Sequence, residues 1–319
     1  MTDYPSYLLA YKSGKLKTVS ERLFACLESC AICPRRCRVN RLANKIGFCK
    51  TAELPKVYSS MIHHGEEPPI SGSRGSGTIF FSQCNMGCVY CQNYEFSQEG
   101  RGKGYTFDQL AEIMLKLQDQ GCHNINLVTP THVLPQILKA LEIAIARGLK
   151  VPLVYNTSGY ELAETIQALD GIVDIYLADM RYADSQNSLK FSGALDYPKY
   201  NQEAIKEMYR QVGQAKFDAA GLALSGLIIR HLVLPNQVSG TREIMQFIAK
   251  EISEDTYISL MSQYLPYYQA TKFSQINRRL KESEYQEAKD ILGEYNLLNG
   301  WIQESFGQER FAGVNIKPN

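Results

Sequence analysis

At 319 residues, 45% hydrophobic and 21% charged, the chain can bury a sizeable core, as one barrel domain or two ordinary ones. A net charge of +1 excludes a dominant polyanionic partner such as nucleic acid. No apolar run approaches the roughly 18 residues of a membrane span, and Met1-Thr2-Asp3-Tyr4-Pro5-Ser6 lacks the charged-then-apolar order of a signal peptide. The expectation is a cytoplasmic protein without a membrane partner.

In chain order, the first informative stretch is Cys26-Leu27-Glu28-Ser29-Cys30-Ala31-Ile32-Cys33-Pro34-Arg35-Arg36-Cys37, followed by Gly47-Phe48-Cys49. In a reducing compartment, clustered cysteines point to metal rather than disulfides. Cys26 closes an amphipathic run with Val19, Leu23 and Leu27, so it is expected to be a core thiol on a helix face. Cys30, Cys33, Cys37 and Cys49 then form a complete four-thiolate set, suited to structural zinc or an auxiliary iron-sulfur cluster. Arg35, Arg36, Arg38, Arg41 and Lys45 lie among them with no acid, either as a solvated face or as compensation for thiolate charge.

From Tyr58 to Arg74 a strand should lead into a loop broken by Pro68, Pro69, Gly65 and Gly72; it carries His63, His64, Glu66 and Glu67 as candidate substrate contacts or ordinary loop charges. Thr78 to Phe81 reads as a buried strand, and Cys84, Cys88 and Cys91 follow its end at Cys-x3-Cys-x2-Cys spacing. Three thiolates on a [4Fe-4S] cluster leave one iron open to a small molecule, whereas a closed zinc site takes four ligands.

Beyond it, strands are expected at 125–128, 151–155, 172–178, 227–234 and 257–261. They alternate with helices at 106–120, capped by Thr106 with Gln109, and at 134–147, 161–169, 202–214 and 241–251. Six strands alternating with helices predict a parallel, curved α/β sheet: an open (βα)6 partial TIM barrel over 75–266. An N-terminal Cys-rich metal-binding extension would occupy 1–74 and a C-terminal helical extension 267–319, with a helix near 282–295 and the single Trp301. Chemistry in such sheets gathers at the carboxyl ends of the strands.

Cys84-x3-Cys88-x-Tyr90-Cys91 resembles the signature of the radical S-adenosylmethionine superfamily, and Cys91-Gln92-Asn93 with Gly75-Ser76-Gly77 resembles its pyruvate formate-lyase activating-enzyme branch. The resemblance implies that Cys84, Cys88 and Cys91 hold the cluster, with Tyr90 and Asn93 beside S-adenosylmethionine. Thr129-Pro130-Thr131-His132 departs from the family's Gly-Gly-Glu type turn, so Thr129, Thr131 or backbone carbonyls would meet the ligand's amino group. Asn156-Thr157-Ser158 is similar to the turn that meets the ribose, with helix capping as the alternative for Ser158. Asp179-Met180-Arg181 is similar to an Asp-x-Lys ending, and a structural pair is its alternative reading. Arg230, in Ile229-Arg230-His231-Leu232-Val233-Leu234-Pro235, would pair with the ligand carboxylate, and Gln263 would lie near adenine or substrate.

The implied activity is reductive cleavage of S-adenosylmethionine to a 5′-deoxyadenosyl radical that takes hydrogen from a substrate at the barrel rim, a protein or peptide among the candidates, with flavodoxin or ferredoxin as electron donor. An activase making a glycyl radical on a partner enzyme is one alternative. A non-enzymatic iron-sulfur or zinc electron-transfer or interaction protein is another.

Overall fold

The computed structural model describes residues 4–303 and the backbone of 314–315. Among the described residues eleven strands form: β1 (Lys56–His63), β2 (Ser76–Phe81), β3 (Lys103–Gly104), β4 (Ile125–Val128), β5 (Leu153–Thr157), β6 (Ile175–Asp179), β7 (Lys216–Phe217), β8 (Ala223–Leu232), β9 (Tyr257–Met261), β10 (Gly300–Ile302) and β11 (Val314–Asn315). The sheet runs β11-β10-β9-β8-β6-β5-β4-β2-β1-β3, with β7 paired to β8. From β2 to β10 neighbouring strands are parallel; β1, β3, β7 and β11 pair antiparallel. Each strand expected from sequence is present, and β10 adds a seventh to the parallel run in a segment expected to be helical. Residues 304–313 and 316–319 of that segment lie outside the described residues.

Local chemistry explains the elements. All five residues of β5 and of β6 are buried, the pattern of strands covered on both faces. Thr106 accepts from the Gln109 N–H and Gln109 answers its backbone, closing a capping box ahead of helix Phe107–Asp119, which buries Leu110, Ala111, Met114 and Leu117. Helix Tyr197–Val212 begins five residues before its expected start, with Pro198 in the first turn, where a missing N–H costs no helical bond.

Two features aim the strand ends. Helices Tyr7–Lys12 and Lys15–Ala25 are tied to the opposite end: the Tyr7 hydroxyl donates to the Val151 carbonyl at 2.7 Å, and the Ser6 hydroxyl to Asp174 at 2.5 Å. A Cβ on Gly77 would stand 2.7 Å from the Asn124 carbonyl, so only glycine lets β2 enter this closely beside β4.

Candidate active site at the strand ends

Past Phe81 the chain turns through Gln83, whose φ of 74° is left-handed, and delivers Cys84. Helix Ser185–Ser192, capped by Asp184 and stopped by Gly193, holds the thiol loop: Gly87 N–H donates to Ser192 O and Val89 N–H to Phe191 O. Each sulfur has a donor or hydroxyl beside it. Met86 N–H lies 3.3 Å from Cys84 Sγ, Ser192 Oγ 3.0 Å from Cys88 Sγ, and Ser97 Oγ 3.1 Å from Cys91 Sγ. Behind Cys88 the chain of hydroxyls continues, Ser192 to Tyr182 at 2.7 Å and Tyr182 to Tyr90 at 2.8 Å.

Burial pushes the Cys84 thiol up to about 12, and neighbouring Cys88 adds to it; the Arg181 guanidinium works the other way on Cys84 and on Cys91. Thiols this buried ionise when a cation compensates them, and the surrounding donors suit thiolates. Three such sulfurs, each with a donor or hydroxyl beside it, fit the three-thiolate attachment of a [4Fe-4S] cluster.

Beside the triad lies a cavity of about 620 Å³, within the range of small-molecule sites, lined by His63, His64, Glu66, Asn93, Asn156, Arg230 and Gln263, with Phe80 and Val128 as apolar walls. Its size and mixed polarity fit S-adenosylmethionine together with part of a substrate. Gln92 Nε2 donates to the Gln263 carbonyl at 2.8 Å and joins the thiol loop to the end of β9.

Arg230 organises the floor. Its Nε donates to Asp179 Oδ1 at 2.9 Å, its Nη2 to Asn156 Oδ1 at 2.6 Å, and its Nη1 lies 3.5 Å from Glu66 Oε2. Arg181 also pairs with Asp179. Burial opposes ionisation of Asp179, but the two guanidiniums overcome it and hold the carboxyl below its ordinary range. Burial raises Glu66 against the pull of Arg230, and raises neighbouring Glu67 to about 7.

Asn93, Asn156, Arg230 and Gln263 thus share one cavity, and Asp179 and Arg181 join it through Arg230. Arg230, expected to meet a ligand carboxylate, is partnered here by Asp179, its register neighbour on β6, and by Glu66 and Asn156. Thr131, one of the candidates for the ligand's amino group, is fully buried, its hydroxyl donating to Glu161 at 2.6 Å. Glu161, unremarked in the sequence, also accepts from Thr157 at 2.6 Å and Tyr155 at 3.3 Å, and burial raises it to about 7. Thr129 takes a left-handed φ of 61°. Ser158 is buried, its hydroxyl without a partner among the described residues, and Tyr90 is buried against Tyr182 and Tyr264. Ser97 and Ser192 were missed; Asp184 and Gly193, nine apart, were the available signal for the helix carrying Ser192.

Cys30, Cys33, Cys37 and Cys49 line one small cavity with Arg35, Arg36, Arg41 and His132. Cys26 is exposed rather than a core thiol, because the chain tightens into a 3-10 turn over Cys26–Ser29 and turns Leu27 inward instead.

The family model of the radical SAM superfamily matches residues 78–248. An uncharacterized protein of Methanocaldococcus jannaschii is 33% identical over 284 residues, covering 85% of this chain and 76% of the relative. Among solved structures, HydG, a maturase of the [FeFe]-hydrogenase, is similar with a TM-score of 0.46 and 11% identity over 73% of this chain, which spans about half, 53%, of the maturase. Methylornithine synthase (PylB) is similar with a TM-score of 0.45 and 13% identity, over 90% of this chain and 74% of the synthase. Likenesses of this size carry no chemistry across. The family match encloses the triad and every strand end from Cys84 to Arg230, and on it the chain belongs to the radical SAM superfamily.

Proposed function

We propose that this protein is a radical enzyme of the activating-enzyme-like branch, acting on a substrate held in the cavity between the β1–β2 connection and the ends of β5, β8 and β9. The observation that carries this reading is the shared cavity of Asn93, Asn156, Arg230 and Gln263 directly beside the thiol loop. When bound, the cluster and S-adenosylmethionine supply a 5′-deoxyadenosyl radical that abstracts hydrogen. The chain's own residues position and enclose: Asn93, Thr129, Asn156 and Gln263 hold the ligand, and the Arg230–Asp179–Arg181 network keeps the floor rigid. His63, His64 and Glu66 face the substrate side, and Phe80 and Val128 limit water. The parallel run β2-β4-β5-β6-β8-β9 is read as an open six-unit barrel that β10 extends. A protein or peptide substrate and a flavodoxin or ferredoxin donor complete the proposal.

The test is ligand binding at the cluster. In the anaerobically reconstituted, reduced protein, adding S-adenosylmethionine should change the electron paramagnetic resonance spectrum, and Asn156→Ala should demand more ligand for the same change. An unaltered spectrum at saturating ligand would contradict the assignment. The motif Cys91-Gln92-Asn93 favours a second reading, an activase for a glycyl-radical enzyme. A glycyl radical doublet on mixing with such an enzyme supports it, and silence with a fully active preparation removes it.

A further inference from the structure

We propose that Cys30, Cys33, Cys37 and Cys49 bind a thiolate-ligated metal centre, zinc or iron-sulfur, seated behind the Cys84 loop. Between Ser29 and Lys56 there is no helix or strand. Its buried apolar cluster is only Leu27, Cys30 and Ile32, with Phe24, Val39 and Leu42 half-buried around it. Over the same stretch Arg36, Arg38, Asn44 and Lys50 all take positive φ, a costly backbone for residues with side chains. So small a core does not hold a bent, strained chain, and a metal cross-link supplies what is missing.

The bends serve the thiols. Arg36 N–H donates to Cys33 O and Lys50 N–H to Gly47 O, two tight turns that bring Cys33, Cys37 and Cys49 to one cavity. Phe48 N–H points at Cys37 Sγ, 3.4 Å away. A Cβ on Gly47 would stand 2.7 Å from that sulfur, so the second turn closes on the first only with glycine.

Arg41 is 1% exposed, and its guanidinium meets the Ala52 and His132 carbonyls and Cys30 Sγ, at 3.8 Å, with no carboxylate partner among the described residues. A buried guanidinium needs an anion, and thiolates in this cavity are the anions within reach. Four thiolates repel one another; Arg35, Arg36 and Arg41 line the cavity and offset part of that charge, and a bound cation offsets the rest.

The cavity wall also holds polar atoms without partners among the described residues. His132 Nε2 lies 2.8 Å from the Ser82 carbonyl, which can only accept, so this nitrogen carries the proton and Nδ1 is a bare lone pair, buried and unpartnered. Arg35 Nη2 is likewise buried and unpartnered, while its Nε donates to the Asn85 carbonyl at 2.9 Å. Ser82 and Asn85 flank Gln83 and Cys84, so the centre is fastened to the loop that carries the catalytic thiols.

The experiment counts zinc, iron and sulfide in the full-length chain, as isolated and after anaerobic reconstitution, for wild type, Cys84→Ala and Cys33→Ser. Cys84→Ala should keep a metal that Cys33→Ser loses: zinc without sulfide identifies a zinc centre, and iron with sulfide a second cluster. Cys84→Ala protein holding neither metal would overturn the proposal. Thiol labelling of wild type guards against a misfolded variant. Exposed Cys26 should react with iodoacetamide at once, whereas Cys37 and Cys49, half-buried, should react only after a chelator has stripped the metal. If Cys37 and Cys49 label with Cys26 in metal-replete protein, the centre does not exist. Neither readout depends on the barrel cluster being active.

Discussion

Arg230 and Asp179 are register neighbours on adjacent parallel strands, and their side chains meet at 2.9 Å, Nε to Oδ1, at the carboxyl ends of β8 and β6. The pair puts a fixed positive charge between Asp179 and Glu66 on the floor of the cavity. Removing one member of a buried ionic network leaves the others uncompensated, which costs more than the pair itself contributes.

Arg230→Met should therefore destabilise the fold by about 3 kcal/mol at neutral pH, read by denaturant melts. Asp179 and Glu66, having lost the guanidinium, would rise in pKa, so the deficit should shrink as pH falls and they take up protons. A deficit that stays constant from pH 5 to 8 would mean that the carboxylates do not feel Arg230.

Glu161 predicts a different pH dependence. Its folded value of about 7 lies above the ordinary 4.5, so between these values the unfolded chain has lost a proton that the native chain keeps. Stability contributed by the protonated carboxyl is complete below about 4.5, declines as pH rises towards 7, and is lost above it, in total on the order of 3 kcal/mol. Glu161→Gln should remove this slope, becoming more stable relative to wild type at pH 7.5 than at pH 5 by thermal melts. A pH-independent difference would contradict the raised value.

These two networks also show how far the sequence could be read. Period and capping disclose local order, so Thr106 with Gln109 and the apolar run ending at Phe81 marked their elements, and Cys84, Cys88 and Cys91 lie close enough in sequence to be seen as one set. Ser192 meets Cys88 from 104 residues away, and Arg41 meets His132 from 91. Such partners are set by how helices dock onto the strand ends, which no local period encodes. For the same reason Arg230 was legible as a charge needing a partner, while its contacts with Asp179 and Asn156 were not. Cys26 went astray on a local detail: a 3-10 turn advances faster per residue than the α-helix its spacing assumed.

Thr129 stands at φ 61° at the end of β4. A left-handed conformation costs an L-residue more than glycine, and Thr129→Gly should hold or raise stability by about 0.5 to 1 kcal/mol in denaturant melts, after allowing for the entropy of glycine. Affinity for S-adenosylmethionine should fall at the same time, by equilibrium dialysis, because the hydroxyl is gone. Unchanged affinity would remove Thr129 from the ligand contacts and leave only the backbone role.

The Ser192 hydroxyl lies 3.0 Å from Cys88 Sγ and is itself met by Tyr182. A hydrogen bond to a ligand sulfur stabilises the reduced, more negative cluster. Ser192→Ala should lower the reduction potential in an electron paramagnetic resonance redox titration, with iron content unchanged. Equal potentials would show that the hydroxyl serves packing alone.

The most direct test of the central claim is the yield of 5′-deoxyadenosine from S-adenosylmethionine in the anaerobically reconstituted protein reduced with dithionite. The account predicts deoxyadenosine from wild type and none from Cys84→Ala, in which one of three ligand sulfurs is removed. A wild-type sample with a complete, reducible cluster that makes no deoxyadenosine, or a Cys84→Ala protein that makes as much as wild type, would contradict it.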